Sequence, residues 1–396
     1  EAALFVVRES PSSLRADVSV GGMTAVRLDA GITEVVPAGA PSLSTRAVCV
    51  DTTATAHTFA ELRSCSGVMP VLAPGPVAAM FPHVAERVGA ARTATLVQLS
   101  TLVGMVCPGL HAIFGGLSVR FPAELTGSRR LSFAVTGADE RVSMLTVALG
   151  GGGIAGDLTA FVRQPAPERD LAGVARDVRA GEFAGTTALI VGGSRGLGAV
   201  TARALAAGGG RVIVTYLSGE RDARAIAEEL GPDRCRVLRY DARAAAGPQL
   251  AALEWPISQL YYFATPHIFR QKAAWWEPRR FDEFCDVYVK GFADVCAALR
   301  ARGAEFSAFY PSSVAVDERP RDMIEYSMAK AAGETLCADM NRFEPGVRVI
   351  LKRLPRVLTD QTATLISTPS ADALDVMLPI VRELHARGEG PGKTAL

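Results

Sequence analysis

None of the seven cysteines (Cys49, Cys65, Cys107, Cys235, Cys285, Cys296 and Cys337) has a partner at the short spacing of a zinc or redox site. An odd, scattered set excludes a disulfide framework and reads as reduced cytosolic thiols, mostly small core residues. Net charge is also missing. The formal value is +1, so nothing argues for nucleic acid or an anionic membrane as partner. No long uninterrupted apolar run exists. The most apolar stretch, Ala94 to Phe114, contains Gln98, Ser100, Thr101, Pro108 and His111, which fits a buried helix and not a membrane span. Lysine is scarce. None precedes Lys272, and the bias to Arg, Ala and Gly looks genomic. The chain does not start with Met and has no basic-then-apolar leader, as expected of a piece of a longer polypeptide.

What is present is an ordinary globular composition, 49% hydrophobic and 21% charged, over 396 residues, enough for two or three domains. Its centre is Thr187-Ala188-Leu189-Ile190-Val191-Gly192-Gly193-Ser194-Arg195-Gly196-Leu197-Gly198. An apolar run ends in a glycine-rich turn, and a helix follows from Ala199 to Ala207. This is the layout of a strand, a phosphate-cradling turn and the first helix of a dinucleotide fold. The glycines let the backbone bend and approach a pyrophosphate, and the helix N-terminus supplies unpaired N–H groups.

From here strands and helices alternate. Strands are expected at Arg211–Tyr216, Arg236–Asp241, Gln259–Ala264, Phe306–Pro311 and Arg348–Arg353. Helices are expected at Asp222–Leu230, Phe281–Arg300, Tyr326–Asn341 and Ser370–Arg387. The succession predicts a parallel, doubly wound sheet with helices on both faces. Upstream, residues 1 to 44 read as a β-rich extension, with strand-like runs at Ala25–Asp29 and Ile32–Val36. Residues 45 to 165 form one unit. It begins with Ala47–Val50 as a strand and a short helical piece at His57–Leu62. The long apolar helix Ala91–Val106 comes next, then β runs at Leu117–Phe121, Leu131–Val135, Arg141–Ala148 and Gly156–Val162. A sheet wrapped on one helix is an α+β pattern. Residues 166 to 184 are a linker in which Asp170–Val178 places Leu171, Val174 and Val178 on one helical face. The second domain spans 185 to 396.

Two resemblances add to this. Val103-Gly104-Met105 to Pro108-Gly109-Leu110-His111, followed by Gly116–Phe121, resembles the helix and third strand of MaoC-like hotdog hydratases. That family carries an Asp and a His about five residues apart on a loop, which activate a water for addition across an enoyl thioester. Here Ser66–Leu72 corresponds to that loop, with Val68 and Leu72 where acid and base would stand, and neither moves a proton. Asp51 and His57 have the spacing but precede the short helix. The resemblance therefore implies a hotdog without hydratase chemistry, retained for dimerisation, scaffolding or holding an acyl chain.

The second rests on Tyr326-Ser327-Met328-Ala329-Lys330, whose Tyr and Lys lie four apart on one helix face, with Ser313 thirteen residues before Tyr326 at the end of a strand. With the glycine turn, the set resembles the short-chain dehydrogenase/reductase family, closest to its 3-oxoacyl-carrier-protein reductases. The expected architecture is thus an α/β Rossmann domain preceded by an α+β hotdog domain. The resemblance implies that Tyr326 is the general acid. Lys330 and the oxidised nicotinamide together lower the phenol pKa, Lys330 holds the nicotinamide ribose, and Ser313 donates to the substrate carbonyl, with Ser312 as its competitor. Cofactor contacts are expected from Gly192, Ser194, Arg195, Gly196, Leu197, Gly198, Tyr216, Ser218, Asp241, Ala264, Lys330 and Thr359. No metal is expected.

No carboxylate follows the second strand until Glu220, whereas Arg195, Arg221 and Arg224 are close by, so NADPH is expected over NADH. Asp241 is expected at the adenine amine. The implied substrate is a 3-oxoacyl thioester on an acyl carrier protein in polyketide or fatty-acid-like biosynthesis, in a cytoplasmic homo-oligomer. Arg353, Arg356 and the Trp275-Trp276 pair are candidates for the entrance or for a structural role. Two departures stand out. Tyr262-Phe263-Ala264-Thr265 replaces the family's Asn-Asn-Ala-Gly, and Tyr288 occupies the place of the Asn that kinks the long helix and anchors a relay water.

Overall fold

The structure is a computed structural model. It describes residues 2–10, 13–20, 23–31, 47, 54, 56–122, 129–163, 169–268, 275–359 and 370–388. Expectations at Ile32–Val36, at 48–50 of the first strand and at Asp51 lie outside these residues. The chain divides into two compact units, one of Thr33–Pro165 with Ala363–Thr368 and the other of Glu1–Ile32, Ala166–Thr362 and Pro369–Leu396.

Three N-terminal strands, β1 (Ala2–Ser10), β2 (Ser13–Val20) and β3 (Met23–Gly31), pair antiparallel in sequence order. In the next unit Thr58 caps α1 (Phe59–Leu62) through a reciprocal pair of bonds with Glu61. Strand β4 (Ser66–Pro70), α2 (Pro74–Met80), α3 (Pro82–Val88) and α4 (Ala90–Thr101) follow, and α4 continues as a π-helical turn over Leu102–Val106. Strands β5 (Ala112–Arg120), β6 (Arg130–Asp139), β7 (Met144–Gly151) and β8 (Ile154–Val162) complete an antiparallel sheet of order β4-β6-β7-β8-β5. Leu99, Leu102, Val103 and Val106 from the helix share a core with Phe133, Leu145, Val147 and Leu158. The Thr95 hydroxyl ties the helix to the Gly152 carbonyl at 2.6 Å.

Two expectations are corrected here. Ser66–Leu72 was expected as a loop, but its first five residues are β4, paired along their length with β6. The strand expected from Arg141 starts only at Met144, because Arg141–Ser143 form the turn after β6, with Ser143 at a φ of 49°.

The second unit opens with α5 (Leu171–Val174), shorter than the expected Asp170–Val178 helix, although Val174 and Val178 are both buried. Then come β9 (Thr187–Val191), α6 (Gly196–Ala207), β10 (Arg211–Tyr216), α7 (Glu220–Leu230), β11 (Cys235–Arg239), α8 (Ala246–Leu250) and β12 (Gln259–Tyr262). The second half holds α9 (Pro278–Cys285), a π-helical segment Asp286–Gly291, α10 (Phe292–Ala301), β13 (Phe306–Ser313), α11 (Ala315–Glu318), α12 (Ile324–Phe343), β14 (Val347–Leu354) and α13 (Ala373–Gly388). The sheet is parallel with order β11-β10-β9-β12-β13-β14.

All five residues of β9 are buried, as a central strand covered on both faces requires. Its side chains alternate between two cores. Ala188 and Ile190 join α6, α7 and α13, whereas Leu189 and Val191 join α8, α10 and α12. Strand order reverses between β9 and β12, which opens a crevice at the C-terminal strand ends. Among the described residues, no helix is long and apolar enough to cross a membrane.

Candidate active site

A cavity of about 790 Å³ lies at that crevice. Its floor is the turn from β9 into α6. Gly192 adopts φ +78°, and a Cβ there would sit 2.8 Å from the Phe263 carbonyl carbon. A Cβ on Gly198 would meet the Gly192 oxygen at 2.4 Å, so α6 packs onto the turn only without a side chain there. Arg195 is the residue before α6, and no side chain caps the helix. Its first N–H groups therefore face the cavity, as a pyrophosphate requires. This fits a dinucleotide.

Every residue expected at the cofactor lines this cavity: Gly192, Ser194, Arg195, Gly196, Leu197, Gly198, Tyr216, Ser218, Asp241, Ala264, Lys330 and Thr359. A Cβ on Gly196 would touch the Thr359 methyl at 3.3 Å, which puts Thr359 beside the phosphate turn. Arg195 lies 3.4 Å from Asp222 and is half exposed. Arg221 and Arg224 do not line the cavity. Arg224 is held by Glu220 at 2.6 Å. Arg243 does line it, and the sequence reading missed it. Its amide and guanidinium bond Asp241 at 3.0 and 3.2 Å. Burial acts to raise the Asp241 carboxyl, and the Arg243 contacts outweigh it, holding the group below its usual range. An Arg two residues past the strand-end Asp was the available signal.

The catalytic candidates converge beyond the nucleotide end. Ser313 ends β13, and Tyr326 and Lys330 project from α12. Ser313 and Tyr326 line the same cavity, and the Ser313 hydroxyl is near enough to act on the Tyr326 phenol. Ser313 also accepts the Ala315 amide at 3.2 Å. Ser312 makes a different bond. Its hydroxyl donates to Glu334, which Arg353 grips with two bonds of 2.8 and 2.6 Å, and Arg353 also reaches Asp317. The Arg353 bonds lower the Glu334 pKa, burial opposes them, and the Ser312 bond adds to the lowering. Arg353 is thus a brace and not an entrance residue, whereas Arg356 does line the cavity.

Lys330 donates to the Pro311 carbonyl at 2.7 Å and is buried. Burial pushes its ammonium down to about 7. Among the chain's own groups, burial holds the Tyr326 phenol above its ordinary value, with the Ser313 hydroxyl opposing. The Lys330 nitrogen lies 5.9 Å from the Tyr326 ring centre.

Tyr288 stands in the π-helical segment where the family has its Asn. Its hydroxyl shares a short bond with Thr265, and its ring face covers Lys330, whose nitrogen lies 3.8 Å from the ring centre. The bonding that the absent Asn leaves open is made from elsewhere. The Tyr262 hydroxyl donates to the Val287 carbonyl at 2.7 Å and the Tyr310 hydroxyl to the Tyr288 carbonyl at 3.1 Å, both within the π-helical segment. Trp276 packs on Phe281 at 5.3 Å beside α9, and Trp275 is exposed.

In the other unit, Val68 is buried on β4 and Leu72 is exposed. The His57 ring meets the Val106 carbonyl at 3.1 Å, and His111 is half-buried after the π turn. Among the described residues no group of three His, Cys, Asp or Glu side chains could hold a metal ion.

A family model described as short chain dehydrogenase matches residues 186–369. No curated protein matches the chain. Several solved structures are similar. A short chain dehydrogenase/reductase family protein is 22% identical, with 53% of this chain and 94% of that one covered and a TM-score of 0.45. A glucose/ribitol dehydrogenase of the same family from Brucella melitensis is 22% identical, over 52% and 91%, with a TM-score of 0.46. The angucycline C-6 ketoreductase LanV with bound NADP is 20% identical, over 53% and 93%, with a TM-score of 0.45. With the glycine turn, the parallel sheet and the matched model in the same segment, residues 186–369 are an oxidoreductase domain of the short-chain dehydrogenase/reductase family.

Proposed function

We propose that this domain reduces the ketone of a 3-oxoacyl thioester with NADPH. The observation that carries the reading is that Ser313, Tyr326 and, one helical turn on, the buried Lys330 line one cavity. Bound NADPH supplies the hydride that adds to the carbonyl carbon. Tyr326 Oη gives its proton to the oxygen as charge builds there, and Ser313 donates a hydrogen bond to the same oxygen. Lys330 stabilises the resulting phenolate. The product is a 3-hydroxyacyl thioester.

Arg195 and Arg243 at the cavity, with Ser218, support a 2′-phosphate and hence NADPH. We further propose residues 45–165 as a hotdog domain without hydratase residues, after a β-rich extension over 1–44 and before a linker over 166–184 and the reductase domain over 185–396. A helix on a five-stranded antiparallel sheet, with Val68 and Leu72 where acid and base would stand, supports this. With such a pairing the proposed substrate is carried on an acyl carrier protein in polyketide or fatty-acid-like biosynthesis, and a cytoplasmic homo-oligomer is part of the same proposal.

A second reading, a non-catalytic scaffold of a synthase assembly, draws on Tyr288 and on the replaced Asn residues. A third, a bifunctional dehydratase and ketoreductase, requires a proton-moving pair in 45–165. One assay separates them. Mixing the protein with NADPH and 3-oxoacyl thioesters of several lengths should consume the cofactor, whereas enoyl thioesters should stay unhydrated. Cofactor binding without consumption selects the scaffold, and hydration lost on changing His57 or His111 selects the bifunctional enzyme.

A further inference from the structure

Lys330 is enclosed by aromatic rings. Its nitrogen is 3.8 Å from the Tyr288 ring centre, 5.0 Å from that of Tyr310 and 5.9 Å from that of Tyr326. Buried ammonium groups need compensation, and the polar groups facing this one supply little of it. From β13 comes the Pro311 carbonyl, which accepts a single bond. From α12 come Glu334, committed to Arg353 and Ser312, and Cys337, whose thiol burial pushes up to about 12. The Tyr326 phenol on the same helix is also raised by burial and stays neutral. The Tyr310 phenol is raised too, and its hydroxyl is turned to the Tyr288 carbonyl. The face of Tyr288 is the closest remaining source of negative potential.

That ring is fixed. Thr265 holds its hydroxyl, Phe284 stacks parallel to it at 5.7 Å, and its backbone sits in the π-helical segment. We propose that the ring face of Tyr288 is the ligand that keeps the Lys330 ammonium charged and aligned, which makes Tyr288 a positioning residue for the proton donor Tyr326. This rests on the reductase reading for its consequence in turnover, but the Tyr288–Lys330 contact is testable without it. The ring performs the task, and the hydroxyl only anchors it. Removing the ring lowers the Lys330 pKa, so the lysine goes neutral at a lower pH and the alkaline limb of the rate profile moves down with it.

Labelled lysine makes the test direct, because the chain has five lysines and Lys330→Met identifies the resonance. In the unchanged protein the Lys330 side chain should titrate near neutrality. In Tyr288→Phe it should move by no more than a few tenths of a pH unit. In Tyr288→Leu it should fall by about one to one and a half units, the size of a desolvated cation–π contact. Should Tyr288→Leu fail to fold, phenylalanines with increasing fluorine content inserted at 288 keep the shape and drain the ring face. The lysine pKa should then fall stepwise. An unchanged titration in Tyr288→Leu, a flat response to fluorination, or a Tyr288→Phe shift as large as that of Tyr288→Leu overturns the proposal. A shifted titration in a protein that reduces no ketone keeps the Tyr288 assignment and removes the reductase reading.

Discussion

The Tyr262 hydroxyl donates a 2.7 Å hydrogen bond to the Val287 carbonyl, and so joins the end of β12 to the π-helical segment between α9 and α10. Tyr310 makes the matching bond to the Tyr288 carbonyl. Both hydroxyls are buried, so each lost bond takes a donor from a helical carbonyl with no water to replace it. Tyr262→Phe and Tyr310→Phe should each cost about 1–3 kcal/mol in denaturant titration of the protein. Gly333→Ala should cost more, because its Cβ would sit 2.0 Å from the Tyr310 hydroxyl. Unchanged midpoints in both phenylalanine variants would refute this account of the helix.

The two adjacent serines should separate cleanly. Ser313→Ala removes a donor at the reacting oxygen and should lower kcat about 10²–10³-fold. Ser312→Ala should leave kcat within about tenfold and cost about 0.5–1.5 kcal/mol of stability, because it only frees Glu334 of one donor. Steady-state rates for the pair decide the assignment, and equal losses would reject it.

Lys330 sets a pH dependence of stability. Burial pushes its ammonium from the ordinary lysine value of 10.5 down to about 7. Between those values the unfolded chain binds more protons, so stability rises with pH across this window and is lowest below it. Against Lys330→Met, which has no such proton, the unchanged protein should gain stability from pH 7 to 10. The slope should approach about 1.4 kcal/mol per pH unit in mid-window. Parallel curves for the two proteins would contradict burial of a titrating lysine.

Arg195 should discriminate cofactors. Arg195→Ala should weaken NADPH binding roughly 10–100-fold, the loss of a charged hydrogen-bond pair, and leave NADH binding nearly unchanged. Titration of nucleotide fluorescence reads both. Equal weakening of the two would place Arg195 on a shared phosphate.

The alternation of strands and helices, and so the parallel sheet, was legible because β9 is apolar from Ala188 to Val191 and the glycine turn follows it directly. The residues of the cavity were legible too, since strand ends and a helix N-terminus assemble a site whose members are fixed by position. What periodicity could not show were contacts made by long side chains across elements. Arg353 reads in sequence as an entrance residue or a structural one, and only the fold shows its grip on Glu334 and Asp317. Tyr288 reads only as a departure from the family's Asn, and its ring contact with Lys330 needs the fold to be seen. The raised phenol of Tyr326 follows from burial, which neighbouring residue types do not reveal. In the first unit, Ser66–Leu72 carries Gly and Pro and reads as a loop, but pairing with β6 draws Ser66–Pro70 into a strand.

The central claim is that Tyr326, Lys330 and Ser313 form a working reductase site. Its most direct test follows the loss of reduced-nicotinamide absorbance when the protein meets NADPH and a 3-oxoacyl thioester, beside Tyr326→Phe. Steady consumption that falls at least about 10²-fold in the variant, with NADPH still bound by both, is the predicted result. Equal rates in the two proteins, or NADPH bound and never consumed at any acyl length, would contradict it.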